Sequence, residues 1–377
     1  MNKKIGVGIV GATGWMAGAL GAGVEYVAGT FTPGATPGQK HPDACVTALC
    51  DLDAERLAAR QAELGFDQAE LFADYGRMLA SDRVDAVIVA VPNRLHAEFA
   101  RQALAAGKHL FLEKPFAVTP EESRQLQGEA GRHRLVTKLD YILAHYDEPQ
   151  KLRELIRQGA FGTLASTHFT YRHPINIGES AGQRWKLSRQ ASGGAIPMGI
   201  CHALSLTVLL VDADPVEVIC KNSPARCRAF DYPPQQDILI TFANGVVSVV
   251  QGNIDFAEKY DLRHSVIGTA GQFDYLPFNP AASRVMWSSG PRGRAYGPDA
   301  EFAHDHLDSG DVWAHQCAAT VQAFLDHVKA GQPDPLLGFA SPLVRRTEAV
   351  IWAAEESAAR GAAPAQAAPY LFPEPAC

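Results

Sequence analysis

Two short segments, each directly after an apolar run, constrain the fold of this chain more than any other feature. The turn Gly11-Ala12-Thr13-Gly14 follows the apolar run Ile5–Val10, and the turn Glu113-Lys114-Pro115 follows the apolar run His109–Leu112. A glycine-containing turn between a strand and a small-residue helix is typical of a nucleotide cradle. Because the carboxyl ends of parallel strands meet at one edge of a sheet, we predict that this edge holds both turns.

The first third of the chain alternates short apolar strands with helices. The predicted strands are Ile5–Val10, Val46–Cys50, Ala86–Val91, His109–Leu112 and Leu135–Lys138. The predicted helices are Ala17–Ala28, Ala54–Leu64, Leu95–Ala106 and Pro120–Arg132. This alternation indicates an α/β fold with a doubly wound parallel sheet, the Rossmann arrangement. The Pro- and Gly-containing stretch Thr30–Asp43 is predicted to be a surface loop.

After Asp140 the pattern changes to longer strands. The predicted strands are Leu164–Tyr171, Val216–Cys220, Asp237–Phe242, Val246–Gln251, Leu262–Gly268 and Gln272–Tyr275. The predicted helices are Lys151–Gln158, Val312–Ala330 and Pro342–Arg360. Asn244-Gly245 between two apolar runs is a hairpin signal, so we expect an α+β domain with a large, mostly antiparallel open sheet.

The length of the chain favours two domains. It has 377 residues, whereas single hydrophobic cores stop growing at roughly 250–300 residues. An apolar content of 47% is enough to build large cores. We predict a dinucleotide-binding domain over residues 1–138 and a substrate-binding and oligomerisation domain over residues 139–377.

Charge and cysteine content argue against several classes of protein. The net charge is -7, whereas a nucleic-acid-binding protein needs a concentrated basic face. We expect no apolar run of membrane-spanning length, and no signal cleavage pattern follows the start Met1–Lys4, so a cytoplasmic location is predicted. Seven scattered cysteines without a CxxC pair predict neither a zinc site nor a disulfide framework.

The first glycine turn has the residues expected for a dinucleotide. It departs from G-x-G-x-x-G by having Thr13 in place of a glycine, and Thr13 can donate its hydroxyl to a phosphate. Asp51 ends the second strand, where a carboxylate can accept from both ribose hydroxyls and disfavours a 2′-phosphate, so NAD is predicted over NADP. Arg56 keeps NADP open. The simpler interpretation is a tight turn followed by a helix cap at Asp51 or Asp53.

Another turn follows the strand before the one that leads into the Glu-Lys-Pro turn, and both turns belong to a set of motifs found along the chain. Pro92-Asn93-Arg94-Leu95-His96 follows one strand and Glu113-Lys114-Pro115 the next. Taken singly, Lys114 is a solvated lysine and His96 a helix-face histidine. Taken with AVTPEES, LRELIRQGAFGTL, SGGAIPMGICH and the closing AFLDHVKAGQPDP, they make the chain resemble the Gfo/Idh/MocA (glucose-fructose oxidoreductase-like) oxidoreductase family over nearly its whole length.

The resemblance implies a fold, an activity and an assembly. The family has a Rossmann domain followed by an α/β domain whose large open sheet often mediates dimers or tetramers. Its members mostly oxidise or reduce a hydroxyl or ketone on sugars, inositols and related polyols with a nicotinamide cofactor. A homodimer or homotetramer acting on a sugar or polyol, with no nucleic acid or membrane partner, is the resulting expectation.

The resemblance also implies residue roles. The cofactor-binding residues are Gly11, Ala12, Thr13, Gly14, Trp15, Met16, Asp51, Pro92, Asn93, His96, Glu113, Lys114 and Trp185. The substrate residues are Tyr141, Tyr171, His173, Lys186 and Met198. Trp185 and Lys186 match a Trp-Arg element in which this chain has lysine, so a bidentate contact is in doubt.

One departure from the family pattern bears on the chemistry. Many members have an aspartate four residues before a histidine, and this chain has Met198 before His202. Removing hydride from a secondary alcohol requires a group that takes the hydroxyl proton. Lys114 and His202 are the predicted catalytic residues, because a lysine beside positive charge and a histidine can both act near neutral pH. The alternatives are packing by Met198 and a backbone-bonded His202.

Three hypotheses follow. The first is an NAD(P)-dependent sugar, cyclitol or glycoside dehydrogenase. The second is a redox-neutral glycoside hydrolase or lyase that holds NAD tightly, oxidises the sugar transiently and eliminates a substituent. The third is a non-catalytic ligand-sensing protein. A metal site at His304, Asp305, His306 and Asp308 is not predicted, because these residues lack regular ligand spacing.

Overall fold

The computed structural model describes residues 3–14, 16, 20, 24, 41–130, 132–173, 181–224, 229–255, 261–275, 284–287 and 317–371. The chain forms two compact units. Unit 1 contains Met1–Ile142, His315–Val344 and Pro373–Cys377, and unit 2 contains Leu143–Ala314 and Arg345–Phe372. Most of the predicted helix Ala17–Ala28, most of the loop Thr30–Asp43 and the segment His304–Asp308 lie outside the described residues. The predicted boundary between residues 138 and 139 remains a prediction. The predicted domains did not assign His315–Val344 to the first domain, whereas this segment belongs to unit 1.

The strands are numbered in chain order. They are β1 Ile5–Val10, β2 Ala44–Cys50, β3 Glu70–Phe72, β4 Ala86–Val89, β5 His109–Leu112, β6 Thr137–Leu139, β7 Leu164–Arg172, β8 Pro215–Ser223, β9 Gln235–Phe242, β10 Val247–Asn253, β11 Asp261–Gly268, β12 Gly271–Tyr275, β13 Arg284–Trp287 and β14 Ala365–Gln366. The longer helices are α1 Ala54–Leu64, α2 Tyr75–Leu79, α3 His96–Ala105, α4 Pro120–Ala130, α5 Asp147–Arg157, α6 Cys201–Val211, α7 Cys317–Ala330 and α8 Pro342–Ala359.

Among the described residues, unit 1 contains a parallel sheet of strand order β3-β2-β1-β4-β5-β6. Its central strands are continuous apolar runs, and β4 is buried along its whole length, as expected for a sheet covered on both faces. Asp53 begins α1 by accepting from the backbone N–H of Arg56 at 3.0 Å, and Gly65 ends it in the left-handed region. The predicted Rossmann sheet is therefore confirmed.

Within the described residues, unit 2 has a sheet of order β13-β12-β11-β7-β10-β9-β8-β14, in which only β7 and β10 pair in parallel. The predicted hairpin joins β9 to β10, with Gly245 at φ 84°. Alternate residues of these strands are buried, and α6 packs on the covered face against β7 and β10. The predicted mostly antiparallel sheet is confirmed.

One expectation about apolar runs was wrong. The helical stretch Arg189–Val211, which ends with α6, has the length and composition of a membrane span. Its most apolar part is entirely buried in the described structure, so the stretch is a core helix of unit 2. The cytoplasmic location and the absence of nucleic-acid and membrane partners remain predictions.

A buried ion pair connects distant parts of unit 1. Lys138 on β6 and Asp334 after α7 are 2.5 Å apart between Nζ and Oδ2, and both side chains are almost inaccessible to solvent. The other oxygen of Asp334 accepts from the backbone N–H groups of Leu336 and Leu337. The pair therefore fixes the segment after α7 against the edge of the parallel sheet.

We expect Asp334→Ala to lower the free energy of unfolding by about 3–5 kcal/mol, because it leaves the Lys138 ammonium buried without its carboxylate. Urea titration at pH 7 measures this loss. The control is Lys3→Ala, which removes the solvent-exposed Lys3–Asp85 pair and should cost less than about 1 kcal/mol. Equal losses in the two variants would contradict the assigned role of the buried pair.

Candidate active site

The first glycine turn is held tightly between two neighbouring strand ends. Gly11 has φ 79°, and a Cβ at this position would come within 2.3 Å of the carbonyl oxygen of Ala90. The backbone N–H of Gly11 donates to the carbonyl of Cys50 at 3.0 Å, and that of Gly14 donates to Gly11 at 2.9 Å. Only glycine fits the first position, because both the positive φ and the close backbone exclude a side chain.

Asp51 is bonded to this turn and keeps capacity for more hydrogen bonds. Its Oδ2 accepts from the Thr13 backbone N–H at 3.0 Å and from the Thr13 hydroxyl at 2.7 Å, and its Oδ1 accepts from Leu52 at 2.8 Å. The helix cap belongs to Asp53, so Asp51 is not needed for it. A half-exposed carboxylate with remaining lone pairs at this strand end fits the ribose hydroxyls of a dinucleotide.

His96 joins the two later turns to each other. Its Nδ1 lies 2.6 Å from the carbonyl oxygen of Pro115 and its Nε2 lies 2.9 Å from that of Val91. Burial lowers the pKa of His96 to about 4, although both backbone contacts oppose this shift. The ring is therefore neutral at pH 7 and donates to one of the two carbonyls. It holds the turn after β4 against the Glu-Lys-Pro turn after β5.

The Glu-Lys-Pro turn places Lys114 beside a buried pair of carboxyl groups. Lys114 is half-buried and precedes a cis peptide bond to Pro115. The carboxyl group of Glu113, predicted as a cofactor ligand, is buried and interacts with that of Asp140 at the end of β6. Asp140 is not among the predicted site residues, and the sequence signal for it is an acidic residue directly after the apolar β6 run.

Unit 2 brings three of the predicted residues together. The Tyr171 hydroxyl is hydrogen-bonded to His173 Nδ1 at 3.1 Å, and the Tyr171 ring lies 6.1 Å from that of His202 between centroids. The π-helical turn Ile196–Ile200 precedes His202, and a Cβ at Gly199 would meet the Tyr171 ring at 3.4 Å. Tyr171 and His202 are buried, whereas His173 is half-exposed. Since π-helical turns are frequent at functional sites, this cluster is a candidate site of unit 2.

The remaining predicted residues differ in their exposure. Met198 is buried within the π-helical turn, so an apolar side chain stands where the family pattern has an aspartate. Tyr141 in unit 1 is completely buried. Trp185 and Lys186 are half-exposed on a short 3₁₀ helix, with Lys186 Nζ 5.8 Å from the Trp185 ring.

The other cofactor predictions fall at the same strand ends of unit 1. Asn93 is buried in the turn after β4, and Pro92 begins the short helix there. Met16 follows the glycine turn, whereas Trp15 lies outside the described residues. Within the described part of the chain, no group of three His, Cys, Asp or Glu side chains is arranged to hold a metal ion.

The strand ends of unit 1 thus combine three chemical capacities. The Gly11–Gly14 turn offers backbone that a pyrophosphate can approach, Asp51 offers acceptors for hydroxyl groups, and Lys114 offers a group that can take or give a proton. The residue set fits a nicotinamide dinucleotide. When bound, that cofactor would supply hydride transfer. The Gly11–Gly14 turn would approach its pyrophosphate and Asp51 would hold its ribose hydroxyls, whereas the Thr13 hydroxyl predicted to donate to a phosphate donates to Asp51 in this structure.

Sequence profiles of one protein family match both units. The profile described as an oxidoreductase family with an NAD-binding Rossmann fold matches residues 5–141. The profile described as the GFO/IDH/MocA C-terminal domain matches residues 150–274. Together the two ranges cover more than half of the chain.

Individual relatives and a solved structure agree with the profiles. The inositol 2-dehydrogenase of Pseudomonas fluorescens (strain SBW25) is 28% identical over 303 residues, covering 78% of this chain and 83% of the relative. The D-xylose 1-dehydrogenase (NADP+) of Haloarcula marismortui is 26% identical over 300 residues, covering 78% and 82%. A levoglucosan dehydrogenase solved with NADH and levoglucosan has a TM-score of 0.79 at 21% identity, covering 97% and 100%. At this identity the structural likeness shows a shared fold.

Proposed function

The chain belongs to the Gfo/Idh/MocA oxidoreductase family, and from this premise we propose that it transfers a hydride between NAD and a hydroxyl or ketone of a sugar, cyclitol or glycoside. The observation that carries the proposal is the placement of Lys114. It follows β5 in a turn that His96 fixes to the neighbouring turn, at the same sheet edge as the glycine turn and Asp51.

Relatives of the chain support this substrate class. Those compared above are named for inositol, D-xylose and levoglucosan, which are all small molecules with several secondary hydroxyl groups. The polar cluster of Tyr171, His173 and His202 offers donors and acceptors suited to such hydroxyls. Tyr171, His173, Lys186 and Met198 are the proposed substrate residues. Tyr141, which is buried in unit 1, stays a predicted substrate residue.

The protein side chains supply the proton chemistry. Oxidation of a secondary alcohol removes a hydride from carbon, which the bound nicotinamide accepts, and a proton from oxygen. We propose that the neutral amine of Lys114 takes that proton and becomes the ammonium, with His202 as a second residue in proton transfer. In the reverse direction, the Lys114 ammonium returns the proton to the alkoxide oxygen.

We expect Lys114→Ala to lower kcat by about 10²–10⁴-fold with a substrate found by screening inositols and aldoses, because it removes the proton acceptor. Lys114→Arg is the matched control for charge. It keeps the positive charge but does not deprotonate, so it should bind NADH within about tenfold of wild type and remain as slow as Lys114→Ala. Full turnover by either variant contradicts the proposed role.

The same purified protein distinguishes the two other hypotheses. Redox-neutral cleavage of a glycoside predicts one tightly held NAD per chain and bond cleavage without net NADH formation. Native mass spectrometry measures the NAD retained per chain, and an absorbance scan measures whether NADH forms. A non-catalytic sensor predicts that ligand binds but neither NADH nor a cleavage product forms.

We propose that NAD is preferred over NADP because of Asp51. Its negative charge lies at the ribose-binding strand end and repels a 2′-phosphate. Arg56 is the opposing feature: its Nη2 donates to the Thr13 carbonyl at 3.3 Å, so a guanidinium already lies beside the turn. Removing the carboxylate therefore leaves a site with a ready phosphate ligand.

Asp51→Ser should raise the ratio of kcat/KM for NADP to that for NAD by at least about tenfold. Adding Arg56→Ala should reverse this gain, because the guanidinium is then lost. Asp53→Ser is the matched control, since it replaces one good helix cap by another two residues away and should leave the ratio unchanged. A ratio that Asp51→Ser does not move would exclude this residue as the determinant.

We propose that a second copy of the chain packs on the open face of the unit 2 sheet. The register aligns Ile219, Leu239 and Val249 in one cross-strand row, and Leu239 is 38% exposed. Val247 on the next strand is also 38% exposed, so the apolar residues are adjacent rather than scattered.

Sedimentation equilibrium should give a dimer or tetramer for wild type and a lower mass for Leu239→Glu, because the carboxylate would be buried in the interface. Leu52→Glu is the control, since Leu52 is a 91% exposed apolar residue of unit 1 rather than of the unit 2 sheet. The proposal fails if Leu239→Glu has the mass of wild type.

A further inference from the structure

We propose that Asp140 is a positioning residue for Lys114: with Glu113 it forms a buried carboxyl pair that holds one proton and one negative charge beside the lysine. This inference rests on the proposed function, because it assigns a role in the chemistry of Lys114. Nothing in the family resemblance or the relatives singled out Asp140.

Strand register places the two carboxyl groups side by side. Leu112 pairs with Leu139 at the ends of β5 and β6, and Glu113 and Asp140 are the next residue of each strand. The backbone N–H of Asp140 donates to the carbonyl of Leu112 at 2.9 Å. Both residues are shielded from water: Glu113 is 6% exposed and Asp140 is 2% exposed.

Each residue of the pair has an oxygen that lacks a donor. Glu113 Oε1 and Asp140 Oδ1 are both inaccessible to solvent and accept no hydrogen bond from the described part of the chain. A buried carboxylate oxygen without a donor is costly, and two adjacent buried carboxylates cannot both be ionised cheaply. One proton shared between the two groups removes both difficulties, because it supplies a donor and cancels one charge.

The electrostatics of the pair agree with one shared proton. Burial, and then the charge of Asp140, raise the pKa of Glu113 well above its ordinary value. Burial raises the pKa of Asp140 to about 6, although Glu113 and Lys138 oppose this shift. The two protons of the pair therefore leave in separate steps, and between the steps the pair carries a single negative charge.

Charged and titratable groups surround the pair on each neighbouring element. Lys114 extends from the turn after β5, and Lys138 on β6 is held by Asp334. Cys317 on α7 faces both carboxyl groups; burial first, and then their charges, raise its pKa, so this thiol stays neutral. His96 on α3 is neutral through burial. The negative charge of the pair is thus matched to the Lys114 ammonium, with Lys138 already neutralised by Asp334.

The kinetic test uses Glu113→Gln, Asp140→Asn and the double variant. Each single variant keeps one carboxyl group that can carry the charge, whereas the double variant has none. At pH 7.5 we expect losses in kcat/KM of up to about tenfold for each single variant. The double variant should lose at least about tenfold more than the product of the two. Losses that simply multiply overturn the proposal.

The stability test needs no substrate. Because both pKa values lie above their ordinary values near 4, the native chain binds more protons than the unfolded chain from about pH 4 up to the native pKa values, of which that of Asp140 is about 6. The stabilising contribution of these protons is present at the low end of that window and is lost as pH rises through the native pKa values. The Tm difference, double variant minus wild type, should therefore rise from pH 5 to pH 8, and a flat difference overturns the proposal.

A buried carboxylate elsewhere supplies the control. Asp261→Asn removes a buried carboxylate of unit 2 that contacts Arg263 and Arg172. It should lower Tm. Combined with Glu113→Gln or with Asp140→Asn, its effect on kcat/KM should simply multiply with that of the other substitution. If no sugar or polyol is turned over but the pH pattern appears, the proposed function fails and the positioning role with it. An active enzyme with a flat pattern overturns this inference alone.

Discussion

Parallel pairing in unit 1 is the constraint on which the candidate site depends. The β1, β2, β4, β5 and β6 strands run in the same direction, so the residues that follow them meet at one edge. Gly11, Asp51, Glu113 and Asp140 each come directly after a strand. No local preference of these residues would bring them together, because they are far apart along the chain. The sheet does so through backbone hydrogen bonds that any sequence of suitable strands can form.

Buried charge is the second organising feature, and it links the segment that returns to unit 1 with the parallel sheet. Lys138 on β6 is inaccessible to solvent and needs a counterion, which Asp334 supplies from the segment after α7. Helix α7 also covers the carboxyl pair, with Cys317 facing both groups. Residues near the end of the chain thus complete the charge balance behind Lys114. The chemistry proposed for the lysine consequently depends on a segment with no part in the glycine turn.

In unit 2, small residues rather than charged groups let neighbouring elements pack closely. Gly199 lies against the Tyr171 ring, and a side chain at Gly252 would collide with Ile200. These glycines let the π-helical turn lie close to β7 and β10 and bring His202 near Tyr171, whose hydroxyl is hydrogen-bonded to His173. Met198 occupies the same turn, where the family pattern has an acid. The proton transfer proposed for this chain therefore uses groups other than a carboxylate at that position.

The sequence by itself determined the elements whose signals are local. Strand β1, helix α1 and strand β5 have the predicted limits because apolar runs, a cap and glycines mark them. Strand β3 and helix α2 were missed, since three and five residues are too short for a periodic pattern. Only the tertiary structure decided that Asp140 pairs with Glu113, that Asp51 bonds Thr13 while Asp53 caps α1, and that His315–Val344 joins unit 1. These facts depend on strand register and on the balance of buried charge, which are interactions between residues far apart in the chain.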